Sequence, residues 1–195
     1  MLLVNLGLII ALAVIVLLII IFVSFIVKTY NKMVRGRNKC KDAFAQIDVQ
    51  LTRRFDLIPN LVETVKGYAK HEEGILSEFA KARGAYQAAS SAGDVEGLSN
   101  ANNALTSVLT RFMAVSEQYP ELKANVNFSR LMDELTNTES KVAYSRQFYN
   151  DVAQKYNIEV EMFPGNIIAN LFNFDAVEYF EVESEEVNKA PKVEF

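Results

Sequence analysis

Chemistry at neutral pH needs a nucleophile, a base or a metal-binding set brought together, and this sequence supplies few candidates. His71 is the only histidine among 195 residues and Cys40 the only cysteine. One histidine cannot assemble an HExxH zinc motif or a histidine-based triad within a chain. His71, Glu72 and Glu73 are adjacent in a segment of helical pattern, where neighbours point about 100° apart and do not make one coordination shell. They read as a solvated helix surface. Cys40 sits among Arg37, Asn38, Lys39 and Lys41 with no histidine nearby in the sequence, and reads as a passive thiol. Neither a P-loop nor a GxGxxG fingerprint is present. No catalytic, cofactor-binding or metal-binding residue is assigned, no cofactor is expected, and the chain is not expected to be an enzyme.

The densest polar cluster in apolar surroundings is AQIDVQLTRRFDLIPNLVETVKGYAKHE. Asp48, Gln50, Arg53, Arg54, Asp56 and Asn60 gather around Pro59, which lacks an amide hydrogen and marks a junction between helices. An arginine beside a carboxylate makes charge-assisted hydrogen bonds that can also satisfy backbone groups freed at such a junction. Asp48, Arg53, Arg54, Asp56 and Asn60 are therefore read as a structural network fixing the helix angle. A recognition surface at this turn is the alternative.

The element that positions all of this is the first one. Residues 2–27 are apolar apart from Asn5 and Ser24, with no charge before Lys28. At about 1.5 Å per residue, 26 residues in a helix span about 39 Å, more than a hydrocarbon core of about 30 Å. The core is too long, the start too uncharged and VSFIVKTY too lacking in small residues for a cleaved signal, so a retained anchor at 1–27 is expected. Lys28, Lys32, Arg35, Arg37, Lys39 and Lys41 follow it and no Lys or Arg precedes it. Basic flanks stay on the cytoplasmic side, which predicts the N-terminus outside and the body in the cytoplasm. The same six residues are candidate lipid-headgroup contacts, each adding about 1 kcal/mol, with a pure topology signal as the plainer reading.

Residues 28–156 carry helical patterning throughout, and the fold class is all-α: an anchor continuing into a long antiparallel helical bundle. Tyr30, Met33, Val34, Phe44, Ile47, Leu51 and Phe55 form the first stripe, interrupted by Gly36, which is either tolerated in a continuous helix or a hinge; continuity is favoured. A second helix is expected from Leu57 to Ala89, capped by Asp56, with Leu61, Val65, Tyr68, Leu76, Phe79 and Tyr86 inward. Gly67, Gly74 and Gly84 within it mark close backbone approach or fraying. SSAGDVEG ends it, and Asp94 caps a third helix reaching Gln118 with Val95, Leu98, Leu105, Val108 or Leu109, Phe112 and Val115 inward. A fourth runs from Pro120 to Tyr156.

Periodicity fades at 157–174, where Pro164-Gly165 predicts a type II turn and seven large apolar residues predict an irregular strap over one end of the bundle. A contact patch for a neighbouring copy or the membrane surface is the rival reading. Residues 175–195 form an acidic tail, read as solvated; its spaced Val182, Val187, Val193 and Phe195 are candidate partner-docking positions. Mild acidity, a net charge of −4, argues against nucleic-acid binding.

Several of these stretches also carry a resemblance. AxIDVQLxRRxDLIPNLVxxVKGYAxHE, preceded by Tyr30, Asn31, Val34, Arg37 and Asn38 and followed by Ala82-Arg83, QFYNDVAQKYN and FPGNIIANLFNF, resembles the bacterial LemA family over nearly the whole chain. Phe55 departs from the pattern, which favours a polar residue such as His there. The resemblance implies an anchored, cytoplasm-facing helical bundle of the bacterial cytoplasmic membrane, similar to a protein of magnetosome membrane biogenesis. It implies no established catalytic activity, no settled functional residues, and an association with membrane proteases of the HtpX type. The function expected is a membrane-anchored scaffold that self-associates as a homo-oligomer and organises or remodels an envelope process. The alternative is an adaptor presenting its acidic tail to a membrane peptidase or transporter.

Overall fold

The computed structural model describes residues 2–66 and 73–180. His71 and the tail positions Val182, Val187, Val193 and Phe195 lie outside the described residues. Within them the chain is all-α, with helices α1 (Leu2–Asp56), α2 (Ile58–Lys66), α3 (Glu73–Ala92), α4 (Val95–Ser116), α5 (Pro120–Lys123), α6 (Val126–Glu161) and α7 (Gly165–Phe172). Two compact units emerge, residues 1–41 with 152–177 and residues 42–151 with 178–195.

In the first unit, α1 runs without a break through Gly36, so the helix is continuous there and not hinged. The reason for the glycine is its neighbour: a Cβ at Gly36 would lie 2.9 Å from Cδ2 of Tyr156. Close packing of an aromatic ring on bare backbone offsets the propensity cost of about 1 kcal/mol. From Leu8 to Val27 the large apolar side chains other than the half-buried Ile26 stand open, 64% exposed at Leu8 and 63% at Phe22, with little cover from the described residues. Beyond the apolar run, Met33, Cys40, Ala153, Tyr156, Val160, Ile168, Ala169 and Phe174 are buried.

The strap differs from its expectation. The α6 helix extends past Tyr156 to Glu161, and residues 165–172 form α7 in place of irregular chain. Gly165 is the first residue of α7 and has no positive φ, so the type II turn is absent. Its lack of a side chain serves proximity instead, because an added Cβ would run into the Glu159 carbonyl oxygen and sit 3.3 Å from Cε of Met33. The helix ends at Asn173, left-handed at φ 55°, with the Phe174 amide donating 2.9 Å to the Ala169 carbonyl.

The second unit buries the expected stripes with a few shifts. Ile47, Leu51 and Phe55 of α1, Leu61 and Val65 of α2, Phe79 of α3, Leu98, Leu105 and Phe112 of α4 and Leu135 and Val142 of α6 are all interior. Ile75 is buried and Leu76 only half so, a one-residue rotation of the expected face. Phe55 stacks on Tyr86 at 4.4 Å, and Phe79, Phe112 and Phe128 make edge contacts at 5.9 and 6.0 Å. Asp56 is the last residue of α1 and not a cap. The helix is interrupted at Leu57 alone, whose carbonyl accepts the first α2 bond from Leu61. Pro59 falls in the first turn of α2, where its missing donor costs little. Gly93, at φ 67°, closes α3, and Oδ1 of Asp94 accepts the Gly97 amide at 2.9 Å to open α4. Gly74 and Gly84 have no atom near an added Cβ, so close approach does not explain them.

Candidate functional site

Each of the two units holds a candidate site. In the second unit the site centres on Arg54, which the last turn of α1 drives inward until its side chain is 2% exposed. A charge taken out of water is costly unless paired and hydrogen-bonded. Here the guanidinium meets the Glu139 carboxylate from α6, donates to Oδ1 of Asn102 at 2.5 Å, and donates twice to Oγ1 of Thr106 at 3.2 Å. Burial pulls the Arg54 pKa down, while the Glu139 charge pulls it back up. Arg146, two turns beyond Glu139 on α6, is likewise lowered by burial and supported by Glu139. One carboxylate thus serves two arginines.

Asp48 belongs to a separate cluster. Its Oδ1 accepts from the Tyr86 hydroxyl at 3.2 Å and the Ser90 hydroxyl at 3.1 Å, tying α1 to α3. Arg53 turns outward to pair with Glu134 of α6. Asn60 lines an open groove with Arg53, Arg130 and Glu134. So the five polar residues of the proline-marked junction do not pair among themselves: Arg53 and Arg54 reach across to glutamates of α6, Asp48 reaches α3, and Asp56 ends a helix. The arrangement clamps helices together and holds no nucleophile beside a base. Among the described residues no group of three or more His, Cys, Asp or Glu is placed to hold a metal ion.

In the first unit the site lies beside the end of the apolar run. Lys28, Lys32, Arg35, Arg37, Lys39 and Lys41 are all exposed on α1. Lys32 pairs with Glu159 of α6, and the Arg37 guanidinium lies 5.0 Å over the ring of Phe174. Tyr30 makes edge contacts with Phe172 at 4.9 Å and Phe174 at 5.4 Å. Cys40 is buried and its thiol pushed up, so the passive reading of that residue agrees with its surroundings.

The sequence reading missed two asparagines of α6. In the first unit, Asn157 donates from Nδ2 to the Val177 carbonyl and accepts the Val177 amide at Oδ1, both at 2.8 Å. In the second, Asn150 does the same to Phe180 at 3.0 and 2.9 Å, and the Tyr149 hydroxyl donates to the Glu178 carbonyl at 2.7 Å. Each amide side chain imitates one rung of a β-ladder and pins extended chain to a helix. The signal was the seven-residue repeat Tyr149-Asn150 and Tyr156-Asn157, which places both pairs on one helical stripe.

The model of the LemA family matches residues 43–195. The chain is 28% identical over 189 residues to magnetosome protein MamQ 2 of Paramagnetospirillum magneticum, covering 85% of this chain and 70% of that one. It is 25% identical over 192 residues to magnetosome protein MamQ of Magnetospirillum gryphiswaldense, covering 87% and 71%. It is 25% identical over 173 residues to protein LemA of Metamycoplasma hominis, covering 86% and 77%.

Proposed function

The chain belongs to the LemA family, and from that premise we propose that it is a membrane-anchored, non-enzymatic scaffold that self-associates. The observation that carries the reading is the 55-residue α1, whose uncovered apolar run passes unbroken into the packed helices. Such a helix serves as both anchor and structural element. The basic residues from Lys28 onward favour the packed helices on the cytoplasmic side. Its interior polar groups clamp helices to one another, which is what a presenting platform requires.

Self-association draws on a second feature. Tyr144 and Phe148 stand one turn apart on α6 at 73% and 44% exposed, an aromatic pair open among the described residues. Aromatic side chains are the usual anchors of protein interfaces. The membrane process organised by such an assembly would involve the bacterial envelope, and membrane-embedded peptidases are candidate clients. The test is the mass of the protein extracted in native lipid discs, with the Tyr144→Ala, Phe148→Ala variant alongside. Several copies that fall to one in the variant support the reading; a single copy in the parent protein removes the self-association.

A further inference from the structure

Beyond the apolar run of α1, four exposed apolar side chains gather at the corner leading into α7. Phe163 is 77% exposed, Leu171 66%, Met162 60% and Ile167 56%. Ile167 and Leu171 stand one turn apart on the outward side of α7, with the exposed Phe163 just before the helix, while Ile168 and Ala169 face inward. The α7 helix has no charged residue at all. In water such a face would be a liability, and its position along α1 shows what covers it.

Three contacts fix that position. Phe172 packs on Tyr30, Gly165 faces Met33, and the Met162–Phe163 corner shares a groove with Phe25, Lys28 and Lys32. The α7 helix therefore lies beside residues 25–33 of α1. From Val27, where the apolar run ends, to Tyr30, on which Phe172 packs, the axial rise is about 4.5 Å. The headgroup layer beyond each side of the hydrocarbon is about 5–7 Å thick. The uncharged face thus sits at the depth where acyl chains give way to headgroups, with Lys28 and Lys32 at its rim.

We propose that the outward face of α7 and the Met162–Phe163 corner form a second membrane contact, lying in the plane of the leaflet from which α1 emerges. Its occupant is the lipid surface: apolar side chains bed at the acyl boundary while Lys28 meets anionic headgroups. Tyr30 and Phe172 supply an aromatic collar at the same level. The contact adds a tether that fixes how α1 is rotated about its axis, which a lone spanning helix leaves free. This inference rests on the anchoring of α1, and the experiment separates the two.

The chain contains no tryptophan, so one introduced residue reports alone. Full-length Phe163→Trp, Ile167→Trp, Leu171→Trp, Leu12→Trp and Lys39→Trp proteins are reconstituted in discs of phosphatidylcholine and phosphatidylglycerol brominated either near the headgroup or deep in the chain. Positions 163, 167 and 171 should lose fluorescence mainly to the shallow bromines, position 12 mainly to the deep ones, and position 39 to neither. Phe163→Trp is the conservative replacement that retains an aromatic ring at the corner. Quenching at 12 with none at 163, 167 and 171 leaves the anchor intact and overturns the second contact. Blue-shifted but unquenched emission at those three positions assigns the face to a neighbouring copy and overturns it equally. Loss of quenching at position 12 as well would bring down the anchor and the contact together.

Discussion

Arg54→Ala would strand the Glu139 carboxylate against Arg146 alone and leave Asn102 and Thr106 without their donor. Removing one member of a fully buried charged pair costs about 3–5 kcal/mol, and less here because the Glu139 side chain is 38% exposed, whereas apolar replacement of both members is often near neutral. Arg54→Ala is therefore expected to lower the denaturant midpoint sharply, and the Arg54→Met, Glu139→Leu pair much less than either change alone. Equal, additive losses would mean that the network is not coupled. The asparagine clamp has its own readout. Asn157→Ala should abolish hydrogen-exchange protection of the Val177 amide, and Asn157→Asp should restore part of it by keeping the acceptor. At this scale the sequence was half legible. Arg54 stood out as a charge amid an apolar stripe, but its partners come from α4 and α6, 48 or more residues away. Spacing within one segment carries no information about such pairings. Asn150 and Asn157 resemble any solvated helix residue until the extended chain they hold is in view.

Among the elements, α1 was the most legible, because an uninterrupted apolar run and a regular stripe both demand a helix. Gly36 was the open point, and its answer lies in Tyr156, 120 positions away in a different helix. Two effects compete in Gly36→Ala. Helix propensity gains about 1 kcal/mol, and a Cβ at 2.9 Å from a buried ring costs about 1–3 kcal/mol of overpacking. We expect a net loss of stability, and a reversal of sign in a Tyr156→Ala background, measured by thermal unfolding in lipid discs. Destabilisation unchanged by Tyr156→Ala would exclude packing as the cause. The α7 helix was legible as an apolar strap but not as a helix. Eight residues between Pro164 and Asn173 are too few for a periodic signal, and tertiary burial of Ile168 and Ala169 decides their conformation.

For the molecule as a whole, burial raises the pKa of Cys40, Tyr86 and Tyr156. Each folded value lies above the unfolded one, near 8.5 for a thiol and about 10 for a phenol, so the native state holds these protons longer. Their contribution is complete below the unfolded values and is lost as pH rises through the folded ones. The unfolding temperature should accordingly be level from pH 6 to about 8 and fall steadily above about 9. A flat profile to about pH 11 would mean that these groups are open to water in the folded chain. The central claim, that this LemA-family chain works as an anchored assembly, has a more direct test: native mass spectrometry of the protein released from lipid discs prepared straight from the membrane. The expected result is a whole-number multiple, two or more, of the intact 21.9 kDa chain. A lone copy, or a chain found in the soluble fraction without its first 27 residues, would contradict it.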